Sequence, residues 1–370
     1  MKVLGLCSYP LEAAATRYRL VQFIAPLAEK GISLEVFSFL NKDEFASLYK
    51  PGGVFRKIIR LLKLTGKRLF NSLNAKKFDV VLVQREAMII GPPIFEWLYK
   101  TIGEGPMILD LDDATYLSYV SPTYGRLGSA LKFFGKTDTL IDWSEMVICG
   151  NRHIAEYVES RGKKAVVVPT VVDTDKFYPI EKDARETPVL GWIGTHSTFP
   201  LLEEIFPVLQ QLAREYDFIL KIVGAGKSEI KLEGVRIDNL PWNLEREVAD
   251  FQSLDIGLYP LEATKFVTKE WLAGKSGFKA IQYMAVGIPF VVTPIGVCAE
   301  IGIENKTHFS ASTDKQWRES LVKLLESSEL RKEMGEKGRK QALERYSVPQ
   351  QADKIARVIQ DSVISFQKTS

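Results

Sequence analysis

Two doubly wound α/β domains followed by a helical C-terminus are the fold this sequence predicts. Three observations carry that reading. Short apolar, β-branched runs alternate with helical periods through most of the chain, the pattern of parallel sheets flanked by helices. The alternation breaks at Pro169–Pro188, a proline-bearing, charged stretch with no apolar period, and then restarts. A chain of 370 residues is also too long for one ordinary core.

In the first half, strands are expected at Val3–Cys7, Leu34–Ser38, Val80–Val83, Met107–Asp110, Met146–Cys149 and Val166–Val168. Such short Val-, Ile- and Leu-rich runs suit strands buried on both faces. Helices are expected at Arg17–Lys30, Val54–Leu73, Pro93–Thr101, Arg126–Ile141 and Ile154–Ser160. After the break, strands are expected at Val189–Ile193, Phe218–Val223, Val235–Ile237, Ile256–Leu258, Pro289–Val292 and Thr307–Phe309, with a helix over Leu201–Tyr216. From Gln316 to about Ile364 the chain reads as almost wholly helical. The expected domains are 1–172, a linker at 173–188, a second domain at 189–346, and a terminal helix at 347–370 that returns to the first domain. No internal repeat or low-complexity tract is present.

Composition narrows the class. Lys and Arg number 49 against 46 Asp and Glu, so the net charge of +3 says little about partners. Cys7, Cys149 and Cys298 are scattered, odd in number and without CxxC spacing. That argues against a disulfide framework or zinc site and for a reducing cytosol. Lys2 is followed by VLGLC, too short for a signal core. No apolar run is long enough to span a bilayer. The expected location is cytoplasmic.

The most informative stretch is Gly274–Gly296, GKSGFKAIQYMAVGIPFVVTPIG. Lys275 and Ser276 stand at an expected helix start, and Phe278, Ile281, Met284 and Ala285 recur at helical spacing. Gly287 ends the helix and Pro289 prevents its resumption. A helix N-terminus attracts anions through its amides and dipole, and Lys275 and Lys279 would strengthen a phosphate site. This segment resembles the donor-site signature of GT-B glycosyltransferases, specifically retaining family 4, the glycosyl transferases group 1. Many members carry Glu-x7-Glu here, the second Glu binding the nucleotide ribose. This chain has Gly274 and Gln282 in those slots, like a subgroup with Gln before Tyr-Met-Ala. A glutamine can still bond a ribose hydroxyl but supplies no charge. The strings Gln84–Trp97 and Val166–Phe177, with Asp173 in its turn, are similar to the same family.

The resemblance implies two Rossmann-like domains facing a central cleft, with strand-to-helix loops turned toward it. Four places are then candidate site residues. Ser8–Thr16 lacks GxGxxG, and Arg17 either supplies charge to phosphate or lies, with Arg19, on a helix surface. Gly191–Phe199 offers Gly194, Thr195 and His196 to a diphosphate or sugar, although a lone loop histidine is more often incidental. Met107–Leu117 carries Asp110, Asp112 and Asp113 after a strand. Asp110-Leu111-Asp112 matches the DxD string that holds metal in GT-A enzymes, yet the two-domain layout disfavours that fold. Asp112 or Asp113 could orient an acceptor hydroxyl where family members use a histidine, or Asp113 could simply cap a turn. Arg85, at a strand end, joins Arg17 on the acceptor or phosphate side.

Charge distribution says more than its sum. Lys50–Lys77 holds nine Lys or Arg and no acid. Phe55, Ile58, Ile59, Leu62, Leu69 and Leu73 fall near one helical face, while Arg56, Lys57, Arg60, Lys63, Lys67 and Arg68 fall largely elsewhere. A basic amphipathic helix reads as a membrane-surface element. Nucleic acid is the rival target, but no nucleic-acid motif accompanies the patch. An ordinary domain helix with a solvated basic face is the third reading.

The implied reaction moves a sugar from a nucleotide diphosphate donor, UDP or GDP type, to the hydroxyl of a carbohydrate or lipid-linked acceptor, with retention, as a hexosyltransferase-like family 4 enzyme would. Lys279 joins Asp112 and Asp113 as a catalytic candidate, stabilising the leaving diphosphate without an obligate metal. Binding of nucleic acid is not expected, and a peripheral position on the inner face of the plasma membrane fits the basic helix. A GT-B-shaped sugar-nucleotide epimerase and a non-catalytic nucleotide-sugar or membrane-binding protein remain the alternatives.

Overall fold

The computed structural model describes residues 1–48, 54–118, 125, 131–182, 187–263 and 267–369, excepting the side chains of Leu48, Val54, Lys57, Ile58 and Thr369. The expected helix start at Arg126, the Lys50 end of the basic run and part of the expected linker lie outside these residues. The chain divides into two compact units, Met1–Thr170 with Val348–Ser370, and Val171–Ser347.

The first unit is built on six parallel strands: β1 (Lys2–Cys7), β2 (Ser33–Ser38), β3 (Val80–Gln84), β4 (Met107–Leu111), β5 (Met146–Cys149) and β6 (Ala165–Val167). Their order is β2-β1-β3-β4-β5-β6. Helices α1 (Ala14–Arg19), α2 (Ile24–Ala28), α3 (Lys42–Leu48), α4 (Val54–Ser72), α5 (Ile94–Ile102), α6 (Lys136–Trp143) and α7 (Arg152–Ser160) accompany them. Strands β3, β4 and β5 are buried along their whole length, as their unbroken apolar runs require. The expected single helix over Arg17–Lys30 is instead α1, a 3₁₀ turn at Val21–Phe23, and α2. Leu20, at φ −124° and ψ −61°, interrupts it.

The second unit repeats the plan with β7 (Val189–Ile193), β8 (Ile219–Val223), β9 (Arg236–Leu240), β10 (Ile256–Tyr259), β11 (Phe290–Val292) and β12 (His308–Ser310). All pair in parallel, in the order β12-β11-β10-β7-β8-β9. The strand order reverses between β7 and β10, the topological switch point of a doubly wound sheet. Its helices are α8 (Phe199–Glu203), α9 (Phe206–Leu212), α10 (Glu247–Gln252), α11 (Lys269–Ala273), α12 (Phe278–Ala285), α13 (Asp314–Glu326) and α14 (Ser328–Arg345). The helix expected over Leu201–Tyr216 breaks near Ile205, where α9 begins with Pro207 in its first turn. Its core gathers Leu190, Trp192, Leu209, Ile222, Leu258 and Val291 with Trp317 of α13. Helix α15 (Val348–Thr369) belongs to the first unit and packs on α2 and β5. Among the described residues no helix is long and apolar enough to cross a membrane.

The edge strand β12 contains a titratable core residue. His308 is 4% exposed and stacks on Phe290 with ring centroids 4.9 Å apart. Its Nδ1 lies 2.9 Å from Thr307 Oγ1. Burial pushes its pKa down from 6.5 to about 4. In the unfolded chain the ring protonates as pH falls below its ordinary value, whereas the folded ring stays neutral until pH about 4. Stability from this group is therefore full above pH 6.5 and declines as pH drops toward 4, by up to about 3 kcal/mol at roughly 1.4 kcal/mol per pKa unit. Urea unfolding at a series of pH values checks this. His308→Phe is expected to flatten the slope, and equal slopes in both proteins would count against it.

Candidate functional sites at the two switch points

In the second unit the site is built where β7 and β10 diverge. Gly194 follows β7, and its amide donates to the Val223 carbonyl at the end of β8 (2.9 Å). Across from it, Gly224 sits at φ +85°, where a Cβ would lie 2.2 Å from the Gly194 carbonyl oxygen. Only glycine permits that approach. Thr195 starts a tight turn, its amide donating to Thr198 Oγ1 and its carbonyl accepting from Phe199 (3.2 and 3.0 Å). His196 is exposed at the tip of the turn, facing the Gly226 backbone.

Helix α12 enters this switch point. Gly277 is its N-cap at φ +64°, and a Cβ there would strike Ile301 and Val297. The helix begins at Phe278, so Lys275 and Ser276 stand in the preceding loop and not in its first turn. Lys279 Nζ lies 5.7 Å from the ring centroid of Trp192 on β7 and 5.0 Å from that of Tyr259 on β10. The ammonium therefore spans both sides of the switch point on two aromatic faces. Lys275 Nζ stacks 3.5 Å from the centre of the Trp271 ring. Gln282, one turn beyond Lys279, is 3% exposed. Its amide has no hydrogen-bond partner among the described residues, yet is not among the side-chain groups sealed from water. A buried amide without a protein partner is a group prepared for a ligand or water.

Tyr283, which the sequence reading passed over, fixes this helix. Its hydroxyl donates toward the carbonyls of Gly191 on β7 and Leu258 on β10 (3.2 and 3.1 Å). The ring is fully buried, and a Cβ at Gly257 would lie 2.6 Å from it. Burial raises the phenol pKa well above its ordinary value. Thus the residue next to Gln282 pins α12 to both strands of the switch point. Cys298, in the turn after β11, is buried, and desolvation pushes its thiol up to about 12. It stays protonated and unreactive.

In the first unit the order reverses between β1 and β3, and their loops are tied together by Ser8 Oγ donating to the Glu86 carbonyl (3.0 Å). Arg85 occupies the left-handed region at φ 59°, a costly conformation that surrounding contacts must impose. Its Nε and Nη2 donate to the two oxygens of Asp112 (2.5 and 2.7 Å), and Nη2 also reaches Asp113 (2.8 Å). Gln84 Nε2 donates to Asp112 as well (3.0 Å). Burial opposes the Arg85 charge, but the two carboxylates overcome it and hold the guanidinium well above its ordinary pKa. Burial likewise disfavours the Asp112 anion, and Arg85 outweighs it, keeping that carboxyl below its usual range. Asp113 is the more exposed of the two.

The remaining acid of the DxD string is spent elsewhere. Asp110 receives Arg19 in a bidentate buried pair, through Nη2 and through Nε at 2.9 Å. Arg19 Nη1 continues to the Val168 carbonyl (2.7 Å). Arg19 is 4% exposed, so the helix-surface reading of this residue is replaced by a core ion pair. Asp110 and Asp112 each answer an arginine of their own. Among the described residues no three His, Cys, Asp or Glu side chains gather as metal ligands do. Arg17 donates to the Leu11 and Glu12 carbonyls of its own loop (3.1 and 2.9 Å). The structure thus sets Gly194 and Lys279 against Trp192, with Gln282 one turn further along α12, and joins Arg85 to Asp112 and Asp113.

Residues 178–341 match the family described as glycosyl transferases group 1. A curated relative, an uncharacterized glycosyltransferase of Methanocaldococcus jannaschii, is 24% identical over 200 residues, covering 53% of this chain and 54% of that protein. The match thus spans about half the length of each. Among solved structures, sucrose-phosphate synthase from Thermosynechococcus elongatus superposes with a TM-score of 0.69 at 10% identity, covering 98% of this chain and 99% of that one. Anabaena HepE in complex with UDP-glucose gives 0.68 at 13% identity, over 98% and 100%. The chain has the GT-B fold, and residues 178–341 of its second unit are similar to the glycosyl transferases group 1 family.

Proposed function

We propose that the protein transfers a sugar from a nucleotide diphosphate sugar to an acceptor hydroxyl, and that the second unit holds the donor. One observation carries the reading: Lys279 lies over Trp192 and Tyr259 at the β7/β10 switch point, with the unpartnered amide of Gln282 on the same face of α12. Ligands of open parallel sheets bind outside the carboxyl ends of the strands at such a point. Lys279 and Lys275 would neutralise the diphosphate, and Gln282 would accept from or donate to a ribose hydroxyl. Gly194, Thr195, His196 and Ser276 line the rest of the donor side. The glycosyl transferases group 1 match and the UDP-glucose complex of HepE support a donor of UDP type, with GDP as the other base to test.

Stabilisation of the departing diphosphate by preorganised cations is the main catalytic contribution in this reading. On the first unit, Asp113, the more exposed of the two carboxylates that bind Arg85, would orient an acceptor hydroxyl, while Asp112 holds Arg85 in place. Retention of configuration follows from the family 4 resemblance. A lipid-linked acceptor and a position at the cytoplasmic face of the plasma membrane complete the proposal.

Incubation with labelled UDP- and GDP-sugars, with and without membrane lipid, tests it. Transfer to an acceptor is expected, and it is expected to survive EDTA, because Asp110 and Asp112 are occupied by arginines. Loss of turnover in EDTA with rescue by Mn²⁺ or Mg²⁺ would overturn the metal-independent mechanism. An isomerised donor, or binding without turnover, would overturn the transferase reading itself.

A further inference from the structure

Helix α4 turns its apolar stripe outward. Phe55, Ile59, Leu62, Leu69 and Phe70 fall within about 100° of helical arc, and all are exposed, Phe55 by 75%, Leu62 by 66% and Phe70 by 69%, with exposed Leu73 just past the helix end. The opposite face is fixed to the sheet by a buried cation. Arg68, 3% exposed, donates to the carbonyls of Cys7, Phe37 and Ala87 (2.8, 3.0 and 3.0 Å). Ser72, one turn on, is fully buried. Arg68 is thereby removed from the basic face expected of this helix. The anchor leaves no freedom to roll the stripe inward.

Beside the stripe runs a row of cations. Arg56, Arg60, Lys63 and Lys67 are exposed, and among the described residues none has a carboxylate within ion-pair distance. The side chain of Lys57 lies outside the described residues. Nothing acidic occurs from Lys50 to Lys77. Helix α5, which packs on α4, adds exposed Ile94 and Trp97.

We propose that α4 is an interfacial helix that seats the first unit on an anionic lipid bilayer, with its apolar stripe in the headgroup–acyl boundary and Arg56, Arg60, Lys63 and Lys67 among lipid phosphates. The two halves of the pattern select this occupant. A phosphate-rich nucleic acid would satisfy the cations but not six exposed apolar side chains. A second copy of the chain would cover the stripe but set two basic rows against each other. Anionic lipid complements both at once. The proposal rests on the membrane position given under the proposed function and names the element that provides it, while its test needs neither donor nor acceptor.

The test is flotation of the full chain with phosphatidylcholine vesicles, with and without phosphatidylglycerol, over a range of salt. Wild type is expected to float with anionic vesicles and to retain part of its binding at high salt, because inserted apolar groups are not screened. Replacing Arg56, Arg60, Lys63 and Lys67 by Gln is expected to weaken binding by at least about a hundredfold at low salt. Leu62→Gln with Phe70→Gln is expected to leave binding that vanishes as salt rises. These are surface positions, and an unchanged circular dichroism melt verifies the fold. Absence of flotation, equal binding to neutral vesicles in low salt, or full binding by the Leu62→Gln, Phe70→Gln protein would overturn the proposal. So would concentration-dependent dimerisation abolished by that pair in the absence of lipid, which would assign the stripe to a second copy.

Discussion

Arg19→Met is expected to destabilise the first unit by about 3–5 kcal/mol, the cost of stranding one partner of a buried ion pair. That is a large share of what holds a domain folded. The Asp110 carboxylate would keep its burial and lose its bidentate partner, and the Val168 carbonyl would lose a donor. Arg19→Lys is not a rescue, because one ammonium cannot reproduce two parallel contacts and the third to Val168. Replacing both partners, Arg19→Met with Asp110→Leu, is expected to recover part of the loss, since no uncompensated charge remains. Urea unfolding followed by fluorescence would measure this. A loss below about 1 kcal/mol in the single variant, the range of exposed pairs, would show that the pair is solvated and contributes little.

The second large effect concerns affinity. Lys279→Ala is expected to weaken binding of UDP or GDP by about 1.5–3 kcal/mol, roughly tenfold to more than a hundredfold, if its ammonium meets the diphosphate. Lys275→Ala acts in the same direction but less, because its ammonium rests against Trp271 beside the helix and not across the two strands. Gln282→Glu is expected to keep binding, as a carboxylate accepts from the same ribose hydroxyls. Titration calorimetry separates the three variants. Unchanged affinity in both lysine variants, with melting intact, would remove the diphosphate from this helix.

Much of the fold was legible because its central strands are buried on both faces. Met146–Cys149 and Val189–Ile193 match their expected bounds residue for residue, each being an apolar run with turn signals at both ends. Helices were less legible where local breaks outweigh periodicity, as at Leu20 and Ile205. Strand order was not readable, since pairing between β7 and β10 depends on contacts more than sixty positions apart. At the sites, the sequence pointed to Lys279 and Gln282 through a helix start and a family resemblance, and to Arg85, Asp112 and Asp113 through positions at strand ends. It could not show that Arg85 is bound to both carboxylates, or that Arg19 and Asp110 meet across 91 positions. Charged residues on a short helix look solvated unless their partner is known. The hydroxyl of Tyr283 escaped notice for the opposite reason, because an aromatic at an apolar helical position already has a sufficient explanation in packing.

Helix α15 also bears on how the protein is made. It closes over α2 and β5 with Ala352, Ile355, Val358 and Ile359, and Lys30 meets Asp353 at 2.6 Å. During translation, Val171–Ser347 emerges between the two segments of the first unit. At ~5–20 residues per second this interval lasts on the order of ten to thirty seconds. Throughout it, the apolar ground on α2 and β5 waits without its cover. The unit begun first is completed last, so the nascent chain passes through a stage in which the second unit can fold while the first is still open to chaperones and to misassociation.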